Sequence, residues 1–203
     1  RQGQAAFGSF MVARYIADRS DFAGTWGLTV QLPKMLAPQA WKYIISKAGD
    51  NAMRPAGLAA WDILRIEAGL CRYGHEMNET IDPIACGLGG EVDFGHDFLG
   101  RDALEAAGKR GPTRVLSGLL LDESEPGAKP TIPAQGSAVL SLDGDEIGTV
   151  TSGTFSEALD RPVALALLSP GAAAPGSPVT VAMANVSAPA QIAPLPLVAS
   201  GQA

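Results

Sequence analysis

The 203-residue sequence has two cysteines, two histidines and 6% aromatic residues, and no apolar run in it approaches the length that crosses a bilayer. A spanning helix needs about 20 consecutive apolar residues, so no such helix is expected. The opening stretch RQGQAAFGSF lacks the basic start and apolar core of a secretory signal. Cys71 and Cys86 are too few for a disulfide framework and read as two buried thiols of a reducing compartment. Basic clusters are missing as well. Residues 1–110 hold 12 basic and 13 acidic side chains, and residues 111–203 hold 3 and 8, so the two parts carry net charges of −1 and −5. A phosphate backbone is gripped by clustered Lys and Arg, and nucleic-acid binding is excluded on that ground. The reading is a soluble, cytoplasmic protein without a nucleic-acid or membrane partner. The initiating Met is also absent and a strand-like pattern begins almost at once, which suggests a start inside a larger protein.

Composition of 46% hydrophobic and 18% charged residues is that of a folded chain. FGSFMVARYIA (7–17) alternates as a strand, the glycines of DFAGTWG (21–27) make a turn, and LTVQLP gives a second strand ended by Pro33. Pro38 suits the first turn of a helix over APQAWKYIISKAG, with Gly49 as its stop. LAAWDILRIEA predicts a further helix, apolar nearly all round and therefore buried, ended by Gly69. The Gly-rich GLGGEV then leads into a strand, and FLGRDALEAAGKRG supplies a short amphipathic helix. From Thr113 onward RVLSGLLL, SAVLSL, IGTVTSG, PVALALL, PVTVAMANV and AQIAPLPLV are short strands. With LDGDEIG as a hairpin, they predict a small antiparallel barrel or sandwich. SPGAAAPGSP (169–178) reads as a surface loop. The domain boundary falls near residue 111.

Candidate chemistry concentrates in residues 57–96. Cys71, His75, Cys86 and His96 are spaced C-x3-H and C-x9-H, without the short Cys-x-x-Cys turns of a zinc site, and no metal is expected. Cys71 follows an apolar helix end, with nothing nearby in sequence to activate it as a nucleophile. Gly87, Gly89 and Gly90 do not open a helix, so they read as turn glycines rather than a phosphate cradle. Arg65 and Glu67, in a mostly apolar helix, call for a structural ion pair or, less readily, a ligand contact.

GLAAWDILRIEAGLCRYGHEMNETIDPIACGLGGEVDFGHDFLGRDAL, residues 57–104, resembles a block of the glycine cleavage T-protein (aminomethyltransferase) family. That block reads approximately G-L-x-A-R-D-x-L-R-L-E-A-G-L-x-L-Y-G-x-D, then T-P-x-E-A-G-L-G, then D-F-I-G-R-x-A-L. RVLSGLLL, DEIGTVTSGTFSEALDRPVALALL and PLPLV resemble the same family's C-terminal barrel. The ordered matches run from about residue 19 to residue 198.

The resemblance implies an α+β fold: a partial folate-binding α/β region over residues 1–110, then a small antiparallel β-barrel over 111–203. It also implies a tetrahydrofolate-dependent one-carbon transferase, in which an aminomethyl group borne by a lipoyl carrier protein ends as ammonia and methylene-tetrahydrofolate. The alternatives are a folate-dependent demethylase of a small methylated compound and a non-catalytic folate-binding or assembly module. Cofactor-facing positions fall on Thr29, Trp61, Arg65 and Tyr73. The family's catalytic aspartate belongs to an N-terminal half outside this sequence, so these residues alone should be inactive and a chain carrying that half is an implied partner.

Two positions depart from the family. RSDFAGTWGLTVQLP aligns without gaps on R-T-G-Y-T-G-E-D-G-F-E-I-S-V-P, which puts Thr29 where the family's pterin-holding glutamate stands. The arginine of A-R-D falls on Trp61. A carboxylate accepts two parallel hydrogen bonds and threonine cannot. Trp61 reads equally as a core residue and as a flat surface for stacking, but it supplies no cationic fork.

Overall fold

The computed structural model describes residues 5–10, 13–20, 27–122, 130–184 and 186–199. The chain divides into two compact units, Arg1–Leu64 and Arg65–Ala203.

In the first unit, strands β1 (Ala5–Phe10), β2 (Ala13–Ser20) and β3 (Gly27–Gln31) form an antiparallel sheet in the order β1-β2-β3. The expected single strand over 7–17 is instead two. Folding back pairs Ala5 with Asp18 and Phe10 with Ala13, which satisfies backbone groups that one continuous strand would leave open. Gly8 lies under the Tyr15 ring, where a Cβ would collide with it. The turn expected at 21–27 falls mostly on residues outside those described. Helix α1 (Ala37–Ala52) carries Pro38 in its first turn and runs past Gly49. A mid-helix glycine costs only about 1 kcal/mol, whereas Pro55 bars helical backbone just before it, and the chain is extended by Met53.

Helix α2 (Leu58–Glu67) ends as expected at Gly69, whose φ of 71° only glycine adopts freely. Gly69 N–H donates to Ile66 O (3.0 Å) and Leu70 N–H to Arg65 O (2.8 Å), the two bonds of a Schellman cap. The helix is not buried all round: Leu58 is 84% exposed, and only Arg65, Ile66 and Glu67 are buried. After it comes a loop with no strand beyond the GLGGEV segment, which forms only a 3-10 turn over Gly89–Glu91. Local bonds satisfy this loop, as where Asp82 Oδ1 accepts from Ile84 N–H (3.0 Å) and Ala85 N–H (2.9 Å). Helix α3 spans Arg101–Arg110.

Strands β4 (Val115–Leu121), β5 (Ala138–Leu140), β6 (Glu146–Ser156), β7 (Arg161–Leu168), β8 (Pro178–Ala182) and β9 (Ser187–Ala193) close an antiparallel barrel in the order β4-β7-β6-β5-β8-β9. Leu119, Leu121, Val139, Val150, Ala164, Ala166, Leu168, Val181 and Ile192 fill it. β7 explains its unbroken apolar run by being covered on both sides: Ala164, Ala166 and Leu168 point inward, while Val163 and Leu165 pack outside on Ile66 of α2. Gly153 of β6 sits against the Pro133 carbonyl with no room for a Cβ. Gly153→Ala should therefore lower stability by about 1–3 kcal/mol in urea unfolding, and an unchanged midpoint would contradict this packing.

Candidate functional site

The last turn of α2 delivers Arg65, 1% exposed, into a cluster of polar side chains on the barrel's outer wall. Arg65 Nη1 donates to Glu76 Oε2 at 2.8 Å and Nη2 donates to Ser152 Oγ at 2.7 Å. Glu76 is fully buried. Its Oε1 accepts from Ser152 Oγ (2.6 Å) and Thr151 Oγ1 (2.8 Å), and its Oε2 also accepts Arg72 N–H (2.9 Å). Both oxygens are thus saturated, which is what allows a carboxylate to remain in a dry interior. Arg65 and Glu67 do not pair with each other, because residues two apart on a helix face different ways. Glu67 instead accepts from Ser156 Oγ at 2.5 Å, and its carbonyl receives Leu197 N–H (2.8 Å) and Val198 N–H (3.1 Å).

That Thr151 and Ser152 both reach Glu76 follows from an irregularity in β6. Val150 pairs with Ala166 and Ser152 with Leu165, leaving Thr151 as an extra residue. In a regular strand consecutive side chains point to opposite faces; the bulge turns two hydroxyls toward one carboxylate.

His75 joins the rim of the cluster. Its Nδ1 lies 3.2 Å from Thr151 O and 3.3 Å from Ser152 Oγ. A carbonyl only accepts, so in this contact Nδ1 carries a proton and donates. Cys71 donates to Cys86 O at 3.3 Å. Burial pushes the Cys71 thiol up to about 12, helped by the neighbouring Cys86 and Glu76 and opposed by Arg65. The native thiol keeps its proton where the unfolded one, near 9.0, loses it, so this group's contribution to stability is present below pH 9.0 and is lost as pH rises toward about 12. Alkylation of Cys71 at pH 8 should be about a thousandfold slower in the native chain than in urea, and equal rates would contradict this burial.

The four cofactor-facing positions named from the sequence have different surroundings. Thr29 on β3 is half-buried, within 2.9 Å of Ser20 Oγ through its own hydroxyl. Trp61 on α2 keeps part of its indole exposed. Thr29 and Trp61 belong to the first unit, Arg65 and Tyr73 to the second. Arg65 spends its guanidinium inside the protein, and Tyr73 is 66% exposed. Sequence reasoning singled out none of Glu76, Thr151 and Ser152. A buried arginine demands a buried acid, which was the available signal for Glu76; the β6 bulge left none.

Comparison with known proteins gives consistent matches over the chain. Residues 3–96 match the model described as the GCVT N-terminal domain, and residues 114–198 match that of the glycine cleavage T-protein C-terminal barrel domain. An aminomethyltransferase of Saccharopolyspora erythraea is 33% identical over 186 residues, covering 91% of this chain and 49% of the relative. One of Desulfitobacterium hafniense is 36% identical over 180 residues, covering 88% and 47%. The crystal structure of glycine cleavage system aminomethyltransferase T from Bartonella henselae superposes with a TM-score of 0.80 at 27% identity, covering 92% of this chain and 50% of that one. The chain spans about half the length of the curated relatives it matches.

Proposed function

This chain belongs to the glycine cleavage T-protein (aminomethyltransferase) family, and from that premise we propose that it forms part of a tetrahydrofolate-dependent one-carbon transferase, with an aminomethyl group as the transferred unit. The observation that carries this reading is the collinear match of two successive family domains, 3–96 and 114–198, to a chain that folds like an aminomethyltransferase. In this reading residues 1–110 contribute to the folate-binding region and 111–203 are the barrel domain. The Arg65–Glu76–Ser152 cluster ties the last turn of α2 to strand β6 of the barrel. Activity belongs to the assembly that includes the family's N-terminal half with its catalytic aspartate.

Thr29 and Trp61 fit a pterin in part. The partly exposed indole of Trp61 offers a flat surface for stacking, and the Thr29 hydroxyl offers one hydrogen bond in place of a carboxylate's two. Tetrahydrofolate, when bound, supplies the nitrogen that takes up the one-carbon unit. Arg65, whose guanidinium is taken up by Glu76 and Ser152, is a positioning residue at the end of α2. Tyr73, being exposed, is the remaining side chain available to a ligand or to a lipoyl carrier.

The same two departures favour a second reading, a folate-dependent demethylase whose reshaped pocket takes another methyl donor. Supplying the assembled protein with tetrahydrofolate and an aminomethyl-loaded lipoyl carrier separates the two. The first reading expects ammonia and methylene-tetrahydrofolate in equal amounts; formation of neither sinks it.

A further inference from the structure

The loop that follows α2 is bracketed by the chain's two cysteines, Cys71 and Cys86, which are free thiols fifteen residues apart in sequence. They meet in space. Cys71 Sγ donates to Cys86 O at 3.3 Å, the two side chains are in hydrogen-bonding contact, and Cys86 Sγ donates back into the loop to Pro83 O at 3.5 Å. Exposure tells them apart: Cys86 is 3% exposed, whereas Cys71 is half-buried and open to a small reagent. The loop between them carries Glu76, the carboxylate on which Arg65 Nη1, Arg72 N–H and Ser152 Oγ converge. Whatever fixes the two ends of this loop therefore also fixes the acceptor at the centre of the polar cluster.

We propose that Cys71 and Cys86 form a dithiol modification site, at which a small-molecule disulfide, RSSR, closes an intramolecular Cys71–Cys86 bond that staples the Glu76 loop. The Cys71 thiolate attacks one sulfur of RSSR, forming Cys71–S–SR and releasing RS⁻. Cys86 then gives its proton to a solvent base and its sulfur attacks the Cys71 sulfur; the S–SR bond breaks and a second RS⁻ leaves. Two protein thiols are oxidised to one disulfide, and RSSR is reduced to two RSH. Cys71 reacts first because its sulfur is the one within reach of solvent. Burial pushes the Cys71 thiol up to about 12, so the reaction is slow near neutral pH and quickens about tenfold per unit as pH rises from about 8 to 11. Oxidation through unfolded chain, whose thiol titrates near 9.0, levels off there instead. The closed loop restricts the unfolded chain and lowers the unfolding equilibrium constant roughly a hundredfold.

Incubating the native protein with oxidised glutathione at a series of pH values from about 8 to 11, quenching with acid and mapping the peptides by mass spectrometry tests this. The expected product is one molecule in which the Cys71 and Cys86 peptides are linked and two hydrogens are lost, formed at a rate that still climbs beyond pH 9. Cys86→Ser should stop at the mixed disulfide on Cys71, and Cys71→Ser should leave residue 86 unmodified. In the linked protein, amide exchange over 72–85 should slow by at least about tenfold relative to the dithiol form. A mixed disulfide on Cys71 that persists in the unsubstituted protein overturns the proposal, as do linkage only between molecules, recovery of both free thiols, a rate that levels off near pH 9, and unchanged exchange over 72–85 after linkage. The unsubstituted protein carries each of these readouts, so a variant that fails to fold leaves the test intact.

Discussion

Replacing Glu76 with alanine should cost the chain about 3–5 kcal/mol, a large share of the roughly 5–15 kcal/mol by which domains are stable. The change takes the Glu76 acceptor from Arg65 Nη1, Arg72 N–H and Ser152 Oγ, and leaves Thr151 Oγ1 with Leu165 O at 3.1 Å. It also leaves the Arg65 guanidinium, 1% exposed, without its countercharge. Removing one member of a buried pair is worse than removing both, because the survivor keeps its desolvation cost. Arg65→Met combined with Glu76→Leu should therefore recover most of what Glu76→Ala loses. Urea unfolding followed by circular dichroism measures both. A single-variant loss under about 1 kcal/mol would mean that the cluster is hydrated and does not hold α2 to the barrel.

Restoring the family's charged groups with Thr29→Glu and Trp61→Arg should tighten tetrahydrofolate binding by the assembled protein. Each hydrogen bond to a charged group contributes about 1.5–3 kcal/mol, so one regained bond corresponds to roughly ten- to a hundredfold in affinity. Thr29→Glu must first give up the contact between Thr29 and Ser20 Oγ at 2.9 Å, an exchange between partly solvated groups that costs little. Equal affinities for the restored and original proteins would show that neither position faces the cofactor. Trp61→Ala is the complementary change: under stacking it weakens binding, and under a purely structural role it lowers stability alone.

Much of the barrel was legible because each strand is a short apolar run closed by Gly, Pro or Asp, and the Asp143-Gly144 turn carries its own signal in the φ of 90° at Gly144. The end of α2 was legible for the same reason, since Gly69 is the residue that a Schellman cap demands. The split of residues 7–17 into β1 and β2 was not, because alternation reads alike in one long strand and in two that fold back. Gly49 misled as a helix stop, since its propensity cost is small beside the geometry that Pro55 imposes. The partner of Arg65 lies eleven residues on, and its second anchor eighty-seven residues on, at a bulge that no local pattern announces. Long-range polar satisfaction is a property of the closed barrel, and the sequence encodes it only through the fold.

Calorimetric titration of the assembled protein with tetrahydrofolate tests the central claim most directly. The account predicts a saturable one-to-one heat below about 0.1 mM ligand, weaker than that of a relative bearing both the glutamate and the arginine, and weakened further in Trp61→Ala. A flat titration up to that concentration would contradict it, leaving a scaffold that kept its barrel and its buried Arg65–Glu76 pair but no longer holds a folate.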